Sequence, residues 1–105
     1  MKRFKKGMEL DSIIKNEKIL LIQFGTKGCN PCLSIENKID KWEYLDKIES
    51  IYISIEDFPQ ISAQKSIFSA PTILVFIEGK ESIRKSGYFS LDEIFQQLER
   101  YLNLL

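Results

Sequence analysis

Six consecutive residues, Ile19-Leu20-Leu21-Ile22-Gln23-Phe24, are apolar but for one amide and carry β-branched side chains. A strand with one wet face alternates between apolar and polar residues. This run does not, so it is predicted to be a strand buried on both faces. Gly25 to Gly28 end it, and a helical pattern starts at once: from Pro31 onward, Cys32, Ile35, Ile39, Trp42 and Leu45 fall at three- and four-residue spacing. Strand, glycine-flanked break and long helix follow one another with no linker between them. Everything else in the chain has to pack around that unit.

The periodicity switches several more times. Leu10, Ile13 and Ile14 mark a short helix over 9–16. Ile51, Ile53 and Ile55 alternate with Tyr52 and Ser54, the pattern of a strand with unlike faces. A short helix around Pro59–Lys65 leads to Ile73–Ile77, a second fully buried strand. Glu78-Gly79-Lys80 turns into a weaker strand at about Ser82–Gly87, poor in large apolar residues and so placed at the sheet edge. Ser90 and Glu93 have capping-box spacing ahead of a last helix whose apolar face is Leu91, Ile94, Phe95, Leu98, Leu102 and Leu105. A further strand around Lys2–Lys5 is only weakly signalled. Alternation of this kind predicts one α/β domain over 1–105.

With 15 basic and 15 acidic residues the net charge is zero, which argues against a nucleic-acid partner. Met1 to Lys6 begins like the charged region of a signal peptide. Glu9 and Asp11 then stand where its apolar stretch would lie, and no apolar run is long enough to span a bilayer. The expected setting is the cytoplasm, with no membrane association, and the default state is a monomer.

Two cysteines, Cys29 and Cys32, sit three apart where the buried strand hands over to the long helix. That places Cys29 at or near the helix N-cap and Cys32 in its first turn. Thiol–disulfide exchange needs a thiolate, and a free cysteine with a pKa of about 8.5 is mostly protonated at neutral pH. Unpaired N–H groups and the positive end of the helix dipole favour the anion at Cys29. Cys32 can then attack the mixed disulfide that Cys29 forms with a substrate. Pro31 suits the first turn, where its missing N–H would have no partner, and it stiffens the loop with Asn30. Lys27 reads as a solvated loop lysine with at most a small effect on the thiolate. With no histidine and no third cysteine, one chain cannot assemble a four-ligand metal site, so no metal is expected.

The segment Phe24 to Cys32 resembles the strand, loop, CxPC and helix of the thioredoxin family. Ser69-Ala70-Pro71-Thr72 is similar to that family's cis-proline loop, and Gly87 followed by Ser90 to its closing glycine and helix start. The resemblance covers most of the chain. It implies a thioredoxin fold, a central mixed sheet of four to five strands flanked by helices, with Pro71 in cis beside the sulfurs. It also implies that the Ala70 backbone receives a substrate peptide as an added strand, with Gly87 leaving room for it. The implied activity is reduction of protein disulfides, with Cys29 as nucleophile and Cys32 as resolving cysteine. No cofactor beyond the redox-active disulfide is implied, and a flavin-dependent thioredoxin reductase is the implied partner that recycles it.

The chain departs from the family pattern at several positions. Gly28 and Gly25 stand where the family has tryptophans, Asn30 where it has glycine, and Ala70 where it has isoleucine. Gln23 replaces a buried Asp that helps move the second cysteine's proton, and Tyr52 replaces the lysine that commonly partners that Asp. An amide cannot take a proton, so release from the mixed disulfide is expected to be slow, with little pH dependence near neutrality. The lost apolar bulk implies a narrower set of partners, unless Phe58, Phe68 or Tyr88 rebuilds a rim. Three other functions stay open on sequence alone: a disulfide oxidase or isomerase, a non-catalytic docking module, and two chains sharing one metal cluster.

Overall fold

The computed structural model describes residues 1–105. In chain order the elements are β1 (Lys2–Arg3), α1 (Leu10–Asn16), β2 (Ile19–Gly25), α2 (Asn30–Asp40), a 3-10 turn (Leu45–Lys47), β3 (Glu49–Ser54), α3 (Pro59–Gln64), β4 (Thr72–Ile77), β5 (Lys80–Ser86) and α4 (Leu91–Asn103). The strands form one sheet in the order β1-β3-β2-β4-β5. β1 and β2 both run parallel to β3, whereas β4 is antiparallel to β2 and to β5. The sheet is therefore mixed and five-stranded, the upper end of the expectation, because Lys2–Arg3 does pair at one edge.

The apolar run at 19–24 is explained by the two cores it separates. Leu20, Ile22 and Phe24 point into one, with Ile51, Ile53 and Leu74 and, from α1, Leu10 and Ile14. Ile19 and Leu21 point into the other, with Ile73, Val75, Ile39 of α2 and Leu91, Ile94, Phe95 and Leu98 of α4. Every residue of β2 is buried, as a strand covered by helices on both faces must be. β5 is largely exposed at the far edge.

Two expectations are corrected. The long helix stops at Asp40 rather than running through Leu45: Trp42 N–H bonds to the carbonyl of Ile39 and Leu45 N–H to that of Trp42, three residues back each time. A chain of such turns keeps the apolar spacing of a helix without being one. It brings the Trp42 ring onto Phe95, stacked at 4.5 Å, and its Nε1 donates to Glu99 at 2.8 Å. The apolar face of α4 also ends early, since Leu102 is only half-buried and Leu105, past the helix, is 63% exposed. The expected cap is there: Ser90 Oγ accepts the N–H of Glu93 at 3.2 Å. No helix is long and apolar enough to cross a membrane.

Candidate active site

The site is built where β2 ends and α2 begins. Cys29 is the N-cap of α2 and its Sγ accepts the N–H of Cys32 at 3.2 Å, so the sulfur takes the place a capping hydroxyl would occupy. Negative charge on that sulfur is favoured by this donor and by the helix dipole. The two cysteines form a disulfide, with Cα atoms 5.2 Å apart. Cys29 is half-buried and Cys32 only 2% exposed, so one sulfur faces outward and the other into the protein. Asn30 and Pro31, in the first turn, are exposed.

Pro71 is cis and buried, one residue before β4. Register brings it to the site: Phe24 pairs with Thr72, so the end of β2 that launches α2 lies beside the start of β4. Gly87 N–H donates to the Pro71 carbonyl at 3.1 Å, joining the end of β5 to the same corner. Gly87 has φ +73° and no protein atom within 4 Å of where a Cβ would stand. Ala70 spends neither its N–H nor its carbonyl on another backbone group. An open donor and acceptor beside two sulfurs are what an added peptide strand requires.

Beneath α2, Arg3, Tyr52, Gln23 and Ile73 stand abreast across β1, β3, β2 and β4. Gln23 is fully buried. Its Nε2 donates to the Cys32 carbonyl at 2.8 Å, while its Oε1 has no partner. Because a carbonyl oxygen can only accept, this contact turns the amide nitrogen, not its oxygen, toward the helix. The Arg3 guanidinium lies 4.1 Å from the Tyr52 ring centroid and pairs with Glu36 at 2.8 Å. Burial pushes the Tyr52 phenol above its ordinary value, with Arg3 offsetting part of the rise.

A cavity of about 260 Å³ is lined by both cysteines and by Arg3, Glu36, Tyr52 and Leu33 among others. Arg3 and Glu36 were not picked out from sequence. Glu36 had a signal, four residues after Cys32 and so on the same helix face, whereas Arg3 lay in a strand too short to read. Lys27 does not line this cavity: its backbone N–H bonds to Glu56 at 2.6 Å, and the residue borders the neighbouring cavity with Phe58. Phe58 is no rim residue, since it packs edge-on against Phe4. Phe68 and Tyr88 are the exposed aromatics, at 86% and 105%.

The family model for thioredoxin matches residues 3–100. The chain belongs to the thioredoxin family. It is 30% identical over 94 residues to the thioredoxin of Griffithsia pacifica, covering 88% of this chain and 86% of that one. It is also 30% identical over 93 residues to the chloroplastic M-type thioredoxin of Chlamydomonas reinhardtii, covering 87% of this chain and 66% of that longer protein. Among solved structures, the oxidised thioredoxin of Plasmodium falciparum superposes with a TM-score of 0.75 at 26% identity, over 96% of this chain and 97% of that one. With the cysteine pair at disulfide distance, family membership makes this protein a thiol–disulfide oxidoreductase.

Three of the departures from the thioredoxin pattern, Gly25, Tyr52 and Gly28, have two physical reasons between them. A Cβ at position 25 would run into the Tyr52 phenol, so the missing tryptophan and the missing lysine are one exchange: a ring from β3 fills the space above β2. At position 28 nothing crowds a Cβ, but φ is +75°, a left-handed backbone that disfavours any L side chain by about 1–2 kcal/mol.

Proposed function

We propose that this thioredoxin-family protein works as a protein-disulfide reductase, with Cys29 as nucleophile and Cys32 as resolving cysteine. The observation that carries the assignment of roles is the asymmetry of the pair: Cys29 Sγ caps α2 at a half-exposed position, and Cys32 is buried behind it. The Cys29 thiolate attacks one sulfur of a substrate disulfide and the other sulfur leaves as a thiolate that takes up a proton. Cys32 gives up its proton and attacks the Cys29 sulfur. The protein disulfide forms, and the second substrate sulfur leaves as a thiol. Two electrons have passed from the dithiol to the substrate.

The substrate segment lies along Ala70, with Gly87 leaving space and Leu33, Phe68 and Tyr88 as exposed apolar contacts around it. Asn30 and Pro31 form the turn that presents Cys29. The protein acts as a monomer through its disulfide, without a further cofactor, in the reducing cytoplasm, and a flavin-dependent thioredoxin reductase restores the dithiol. What supports this reading is the family match together with the unpaired backbone of Ala70.

Trapping tests the roles. Cys32→Ser is expected to accumulate a covalent adduct with a disulfide-bonded protein substrate such as insulin. Cys29→Ser is expected to form none and to lose all reduction. Adduct formation by Cys29→Ser, or reduction surviving in it, would reverse or remove the assignment.

A further inference from the structure

The disulfide form leaves one buried acceptor without a donor, Gln23 Oε1, and the amide that bears it is bonded through its nitrogen to the carbonyl of Cys32 itself. Reduction creates a new buried donor on that same residue, the Cys32 S–H. We propose that Gln23 Oε1 accepts a hydrogen bond from the Cys32 thiol in the reduced protein, so that Gln23 positions the resolving cysteine and holds its proton until the departing substrate sulfur takes it. This rests on Cys32 being the resolving cysteine.

The surroundings leave few other receivers for that proton. Around the cavity at the cysteines the ionisable groups are Cys29 and Glu36 on α2, Tyr52 on β3 and Arg3 on β1. The Glu36 carboxylate is already engaged by Arg3 at 2.8 Å. Burial raises the Tyr52 phenol, which keeps it protonated and so no base. On the other side of Gln23 stands Ile73, which is apolar and fully buried. In the resolving step the Cys32 S–H bond breaks and its electron pair forms the bond to Cys29 sulfur. The bond from Cys29 to the substrate sulfur breaks in turn, and the proton passes to that sulfur as it leaves. A hydrogen bond made by the neutral thiol favours the thiol. Gln23 therefore keeps Cys32 protonated while Cys29 is the thiolate, and it favours the dithiol over the disulfide.

The S–H stretching band in the infrared reads this bond directly. In reduced Cys29→Ser the only thiol is Cys32, and its band should lie below that of a solvent-exposed thiol and move when Gln23→Leu is added. In the two-cysteine protein, Gln23→Leu should shift the equilibrium with glutathione about tenfold toward the disulfide, close to 30 mV more negative. Gln23→Met, which fills the space with only a weak acceptor, serves if the leucine variant folds poorly and should move both readings the same way. A Cys32 band at the free-thiol position, or one that Gln23 substitution leaves unmoved, would overturn the inference, as would an unchanged equilibrium. Insulin reduction by the unsubstituted protein is followed alongside. If it persists, only the role of Gln23 falls; if it is absent, the reductase reading itself falls.

Discussion

At position 23 an amide stands where a carboxylate could take a proton. Gln23 instead donates to the Cys32 carbonyl, and it cannot take a proton. Gln23→Asp should therefore speed release from the mixed disulfide, followed by stopped-flow fluorescence, and should introduce a pH dependence that the parent lacks near neutrality. An equal or slower rate would show that proton removal is not the slow step. Gly25 and Tyr52 form a second coupled pair. Gly25→Ala should destabilise by about 1–3 kcal/mol through overpacking against the phenol, and less than half of that should remain when Tyr52→Ala is added. Denaturant melts of the single and double variants measure this coupling, and strict additivity would contradict it. Tyr52 also sets a pH dependence. Its folded pKa is raised by burial above the ordinary value of 10.0, so its contribution to stability is whole below that pH and is lost as pH rises through the raised value. Thermal melts across that range should fall less steeply for Tyr52→Phe than for the parent.

Among the elements, the segment between α3 and β4 carries Ala70 and the cis Pro71, and an edge strand holds it. Arg84 of β5 donates to the carbonyls of Lys65 and Ser66 at 2.8 and 3.2 Å and is itself fixed by Glu81 at 2.8 Å. These carbonyls close the end of α3 and lead into Phe68 and Ala70. Arg84→Ala should raise KM for a protein disulfide several-fold while leaving the potential of the cysteine pair in place, because the sulfurs sit on α2 and not on this loop. A shift in potential with KM unchanged would show that the edge strand acts on the wrong element. Periodicity was a poor guide to where α2 stops, since the turns after Asp40 keep apolar residues facing the same core and imitate a longer helix. It was a good guide to β2 and β4, whose near-continuous apolar, β-branched runs bounded by turn residues match burial on both faces.

For the molecule as a whole, the parts legible in the sequence are those fixed by local spacing: the cysteines at a helix start, the Pro-Thr at a strand start, the Ser90 cap. The row Arg3, Tyr52, Gln23, Ile73 was not legible, because it is made by register between four strands that are far apart in the chain. Nor was the state of Gln23, half satisfied, which depends on where a helix carbonyl falls. The family resemblance supplied the fold and the chemistry, and the structure supplied reasons for some of the departures: one ring swapped between strands and one left-handed glycine.

If Cys29 and Cys32 form a dithiol that gives its electrons to protein disulfides, the reduction potential of the pair, titrated against glutathione and dithiothreitol, must be low. A value near the −270 mV typical of thioredoxins, to within a few tens of mV, is predicted. A value above about −200 mV would mean a disulfide readily donated to other proteins, and would make this chain an oxidase or isomerase instead.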